Sequence, residues 1–153
     1  MPSALTFLQE TDEHLEIFIA EDNPADVVWT EIVLRQLGIQ YRLTIAEDGD
    51  DALAMITRSG RYSAHPKPDL ILLDISLPRM TGPEILERLG GSFPHPCCVV
   101  TGSIVEKEAV LRLFRFHADC YIVKPITRDK IIDAMMTYDD LKPWVTRILK
   151  QEL

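Results

Sequence analysis

The 153-residue chain carries 46% hydrophobic and 26% charged side chains, the make-up of one ordinary globular domain. Its net charge of −8 is unevenly held: residues 1–60 contain 12 acids against 3 arginines, residues 61–153 contain 12 acids against 13 basic residues. Such a chain repels phosphate backbones, holds no apolar run near the ~18 residues of a membrane span, and opens without a secretory pattern.

Residues 1–13 are polar and predict an arm. Leu15–Ala20 follows as a short apolar run of strand type. Asn23 as N-cap, Pro24 at the first helical position and Gly38 beyond the end frame a helix over Pro24–Leu37. Val28, Ile32, Val33, Gln36 and Leu37 give it a stripe at helical spacing. Tyr41–Ala46 predicts a second strand. The acidic stretch Glu47–Asp51 reads as surface leading into a helix over Asp50–Ser59, and Arg58 to Pro68 is the longest connection. Leu70–Asp74 and Cys97–Thr101 are apolar on both faces of a period-two pattern, as strands covered on both sides are. Cys97 and Cys98 fill the core of the latter. Helices are predicted over Gly82–Leu89 and Glu106–Phe116, with a strand over Cys120–Val123 after them. Thr127 caps a helix over Arg128–Tyr138, whose buried face is Ile131, Ile132, Met135 and Met136. Leu141, Val145, Ile148 and Leu149 place a short extra helix within Leu141–Leu153.

Strands alternating with helices predict an α/β fold, a five-stranded parallel sheet sandwiched between helices. Right-handed crossovers bring the carboxyl ends of all strands to one edge, where ligands usually bind. Glu21 and Asp22 follow the first strand, Asp74 ends the third, Thr101 ends the fourth, and Lys124-Pro125 follows the fifth. Three carboxylates crowded together disfavour one another, and a divalent cation resolves the conflict. Oxygen-only donors favour Mg²⁺ or Mn²⁺. A carboxylate nucleophile, a metal, a hydroxyl and an ammonium make a phosphoryl pocket.

Four motifs in order, Glu21-Asp-Asn-Pro-Ala-Asp26, Asp69-Leu-Ile-Leu-Leu-Asp74 running on to Gly82, Val100-Thr-Gly102 and Ala118-Asp-Cys-Tyr-Ile-Val-Lys-Pro125, resemble a response-regulator receiver domain of two-component signalling. The resemblance covers residues 14–138, leaving 1–13 as the arm and 139–153 as a helical tail. It implies a flavodoxin-like sheet in the order 2-1-3-4-5. Asp74 would accept a phosphoryl group from a sensor histidine kinase. Mg²⁺ would be held by Asp22 and Asp74 directly, by Glu21 through water and by the Ser76 backbone carbonyl. Thr101 and Lys124 would take phosphoryl oxygens, Pro125 would follow a cis bond, and Tyr121 would turn inward as Thr101 moves. The long loop and the tail without an output domain are similar to stand-alone regulators paired with bacterial phytochromes. Two positions depart from the pattern: Thr81 stands where an acid or amide is usual, and Gly102 where alanine is common.

Each residue also has a plainer use: Asp74 as a turn residue, Glu21-Asp22 as a solvated turn, Thr101 as a strand end, Lys124 as surface and Tyr121 as packing. Their joint occurrence favours the pocket. Three cysteines and four scattered histidines (His14, His65, His95, His117) lack ligand spacing, which excludes a zinc site and fits a reducing cytoplasm. The expectation is a signalling protein that at most catalyses its own phosphorylation and dephosphorylation, switching a surface around the fourth helix, fifth strand and fifth helix for an unknown downstream protein. Ser76 and Ser103 beside the pocket suggest moderate access for hydrolytic water. An Mg²⁺-dependent aspartyl-phosphate phosphatase would want a second Asp where Ser76 stands. A dinucleotide module would want a Gly-rich turn where Glu21-Asp22-Asn-Pro lies. A phosphorylation-independent adaptor is the remaining alternative. Trp144, Ile148 and Leu149, with Val110, Leu113, Phe114 and Phe116, exceed what a lone core requires and suggest a homodimer.

Overall fold

A computed structural model describes residues 13–89, 97–114 and 118–151. In chain order these form β1 (Leu15–Ala20), α1 (Pro24–Arg35), β2 (Tyr41–Ala46), α2 (Gly49–Thr57), β3 (Leu70–Asp74), α3 (Gly82–Leu89), β4 (Cys97–Gly102), α4 (Ile104–Phe114), β5 (Tyr121–Val123), α5 (Arg128–Met136) and α6 (Lys142–Lys150). The sheet is five-stranded in the order β2-β1-β3-β4-β5, with every pairing parallel. The α/β sandwich and its strand order therefore stand as expected.

Residue alternation along the strands explains the two layers. Leu15, Ile17, Ile19, Leu70, Leu72, Val99 and Ile122 belong to one core, which α1, α5 and α6 close with Val33, Leu34, Ile131, Met135, Val145 and Ile148. Phe18, Ala20, Ile71, Leu73, Cys98, Val100 and Tyr121 point to the other, covered from α2, α3 and α4 by Met55, Ile85, Leu89 and Val110. A strand apolar on both faces is what two helical layers demand.

Four expectations need correction. The stripe on α1 is rotated: Val28 and Ile32 are 59% and 40% exposed, whereas Thr30, Val33, Leu34 and Leu37 face the core. Met136 on α5 is likewise exposed, and Ala134 takes the inward place beside Met135. The apolar tail is no surplus. Val145 and Ile148 are buried and Trp144 packs against the same core, leaving Leu149 outside. Val110, offered with the tail as free apolar surface, is buried too. The strand at Cys120 starts one residue late, because Ala118–Cys120 is a 3-10 turn with Cys120 buried. Residues 1–12, His95, Phe116, His117 and the side chains of Cys97, Leu113 and Phe114 lie outside what is described.

Candidate functional site

Glu21, Asp22, Asp74, Thr101 and Lys124 sit at the carboxyl edge of the sheet, held there by backbone bonds that run past the strands. Glu21 N–H donates to Ala46 O, Ile75 N–H to Thr101 O and Lys124 N–H to Gly102 O. The β3–β4 register sets Asp74 opposite Thr101. At the start of α1, Asn23 acts as N-cap, its side chain accepting from Ala25 N–H, and Pro24 follows. That cap turns the chain sharply after Asp22 and keeps the acidic pair at the sheet edge.

Carboxylate oxygens of Glu21, Asp22 and Asp74 all lie within 4.8 Å of one another. Glu21 and Asp74 are buried, and Asp22 is exposed at the mouth. Lys124 Nζ donates to Glu21 Oε1 at 2.7 Å, to Asp26 Oδ2 at 2.9 Å and to Asp74 Oδ2 at 3.2 Å. Ser76 N–H donates to Asp74 Oδ1 at 3.1 Å, which fixes that carboxylate from the loop side. These groups line an open cleft of about 560 Å³ together with Asn23, Gly102, Ser103, Ile104, Glu106 and Val123.

Burial raises the Glu21 carboxyl to about 7, helped by a hydrogen bond with Asp74 and opposed by Lys124. Burial works against the charge on Lys124, yet hydrogen bonds to Glu21 and Asp26 and the charge of Asp74 outweigh it, so its value is raised. The ammonium is thus the resident counter-charge of a carboxylate cluster. All-oxygen donors, two of them buried and one open to water, fit a hard divalent cation.

The structure brings Glu21, Asp22, Asp74, Ser76 and Lys124 into one cleft. Thr101 is beside Asp74 but only 3% exposed, and it is not among the cleft-lining residues. Tyr121, expected to turn inward only as Thr101 moves, is already buried, its hydroxyl donating to Ser103 O at 2.7 Å, and burial with the charge of Glu106 pushes it up to about 12. The Lys124–Pro125 bond is cis. Beyond it, Ile126 O accepts from the Trp29 indole at 2.7 Å, tying the segment to α1. Asp26 was visible in the first motif but carried no role, because its partner Lys124 lies 98 positions away. His14 has a structural use, half-buried at the opposite sheet edge with its ring 2.6 Å from Glu16 Oε1.

Residues 17–136 match the model of the response regulator receiver domain. Among curated proteins the chain is 35% identical over 111 residues to "Response regulator Rcp1" of Synechocystis sp., covering 71% of this chain and 75% of that protein. Among solved structures it resembles the bacteriophytochrome response regulator AtBRR, with a TM-score of 0.71, 27% identity, and coverage of 85% of this chain and 94% of that one. The Mn²⁺-bound form of Rcp1 matches with a TM-score of 0.64 and 27% identity over 88% of each chain. None of the helices among the described residues is long and apolar enough to cross a membrane. With its sheet order, its edge of acids and lysine and a family match across 120 residues, the chain belongs to the response regulator receiver family.

Proposed function

We propose that the chain is a phosphorylation-controlled switch in which Asp74 accepts a phosphoryl group from a phosphohistidine of a sensor histidine kinase. The observation that carries this reading is the meeting of the Glu21, Asp22 and Asp74 carboxylates within 4.8 Å, with the Lys124 ammonium 3.2 Å from Asp74. Asp22, Asp74 and the Ser76 carbonyl would hold Mg²⁺ directly and Glu21 through water. When bound, the ion neutralises charge on the acceptor carboxylate and the incoming phosphoryl oxygens.

The chain's own groups supply position. Ser76 N–H and Lys124 Nζ hold the two Asp74 oxygens, so the nucleophile is oriented before a donor arrives. The P–N bond of phosphohistidine breaks as an Asp74 Oδ–P bond forms, and the imidazole leaves with the bonding electrons. Lys124 then has phosphoryl oxygens to pair with, and Thr101, opposite Asp74 in register, is the hydroxyl that would close on them. Tyr121, on the strand beside Thr101, carries the change toward α4, β5 and α5.

Likeness to a bacteriophytochrome response regulator supports a phytochrome-type kinase as donor, and a kinase of that kind would place the chain in the cytoplasm. The output would be protein contact. A homodimer keeps a narrower basis than the tail: Ile104 and Val105 at the start of α4 are 72% and 85% exposed beside the cleft. Light scattering before and after phosphorylation tests it, a monomer in both states excluding it. Incubation with acetyl phosphate and Mg²⁺ tests the acceptor. The parent is labelled, Asp74→Asn is not, and equal labelling of the two would refute the assignment.

A further inference from the structure

Lys124 is held by three acids, and they are not equivalent. Glu21 and Asp74 belong to the carboxylate cluster that fits a cation, whereas Asp26 stands outside it. Asp26 occupies the first turn of α1, where an acid is ordinarily explained by the helix dipole or by a capping box. A capping box would direct its carboxylate back to the Asn23 N–H. That N–H instead donates to Glu21 Oε2 at 3.2 Å, and the Asp26 carboxylate reaches across to Lys124 at 2.9 Å. The bond spans 98 positions and joins α1 to the end of β5.

A divalent cation among Glu21, Asp22 and Asp74 would draw two of the three acids away from Lys124 and repel the ammonium itself. Asp26 is the anion that the cation leaves to it. From this juxtaposition, and resting on the proposed phosphoryl-acceptor role, we infer that Asp26 is a positioning residue: it keeps the Lys124 ammonium in the cleft once the metal is bound. It touches neither metal nor phosphoryl group. Its effect runs through Lys124 alone, and that makes it separable from the general benefit of one more negative charge near a cation.

Magnesium binding measured by calorimetry on the full chain separates the two. Asp26→Asn keeps the shape and removes the charge, and it should weaken Mg²⁺ binding about three- to tenfold, the size of one partly exposed charge-assisted bond. In a Lys124→Met background the same change should alter binding by less than about twofold, since the ammonium to be restrained is gone. Equal weakening in both backgrounds means a bulk charge effect and overturns the inference. Should Lys124→Met fail to fold, the ¹⁵Nζ resonance of Lys124 in the Mg²⁺-loaded parent serves instead. It shifts in Asp26→Asn and returns toward the parent position in Asp26→Glu, and a resonance unmoved by Asp26→Asn refutes the positioning role. Neither readout requires phosphorylation. Lost coupling with normal labelling of Asp74 sinks only this inference, whereas a parent that binds no Mg²⁺ sinks both it and the proposed function.

Discussion

The Tyr121 hydroxyl lies where a Cβ on residue 102 would come within 2.5 Å of it, so the glycine at that position is what allows the inward ring. The same Cβ would meet Ile75 Cγ2 at 2.5 Å. Alanine in place of Gly102 must therefore displace the ring, the isoleucine or both.

The first prediction follows from that contact. Gly102→Ala should lower stability in urea by about 1–3 kcal/mol, the usual cost of overpacking a close site. Adding Tyr121→Ala removes one of the two colliding groups, so the double variant should lose less than the sum of the single changes. Strict additivity would show that the ring is not what the glycine accommodates.

A second prediction concerns Glu21. Its folded value of about 7 lies above the ordinary glutamate value of 4.5, so the protonated form favours folding. That contribution is fully present below pH ~4.5 and is lost as pH rises through about 7. Without Mg²⁺, Glu21→Gln should therefore gain on the parent as pH rises across that window, reaching on the order of 1–3 kcal/mol by pH 8. Thermal melts of both proteins from pH 4 to 8 give the difference. A gap that shrinks with rising pH would contradict the assigned sign. Added Mg²⁺ should close the gap at pH 8 by stabilising the parent alone.

Much of the fold was legible because its signals are local. The five apolar runs, Asn23-Pro24 at the head of α1 and Thr127 at the head of α5 are read from a few neighbouring residues, and the Asn23 and Thr127 side chains make the capping bonds they imply. The acids and the lysine of the cleft were legible for a related reason: parallel strands fix which residues share an edge. Facing was harder. Val28 and Ile32 satisfy helical spacing as well as Val33 and Leu37 do, and Thr30 counts as polar, so periodicity alone rotated α1 the wrong way. The tail misled because burial depends on a partner surface that no local pattern names. Asp26 was missed for want of a long-range partner.

The third prediction concerns that tail. Ile148 is fully buried in the core shared by β1, α1 and α5, so Ile148→Ala should cost about 2–5 kcal/mol. Leu149, 44% exposed on the same helix, should cost well under half as much when truncated to alanine. Denaturant melts of the two variants compare them directly. Equal small losses would mean that α6 is detachable and that residues 139–153 add nothing to the receiver core.

The last prediction concerns how the loop after Asp74, the proposed acceptor, is held. Gly49, at the start of α2, donates its N–H to Pro78 O at 3.0 Å, and a Cβ there would run into the Met80 carbonyl. Between them Arg79 takes a left-handed backbone, φ 69°, with its guanidinium 3.9 Å from Asp48. The clamped segment begins at Ser76, whose N–H orients Asp74 and whose carbonyl is the proposed metal ligand. Gly49→Ala should push the segment off α2 and weaken Mg²⁺ binding tenfold or more, a loss of about 1.4 kcal/mol. Gly60 supplies the control. Unlike Gly49 it has a positive φ, 56°, and a Cβ there meets nothing within 4 Å, so Gly60→Ala carries backbone strain far from the cleft. Both variants should be less stable than the parent, and only Gly49→Ala should lose Mg²⁺ affinity. If the two lose it equally, affinity is following global stability, and the clamp has no hold on the metal loop.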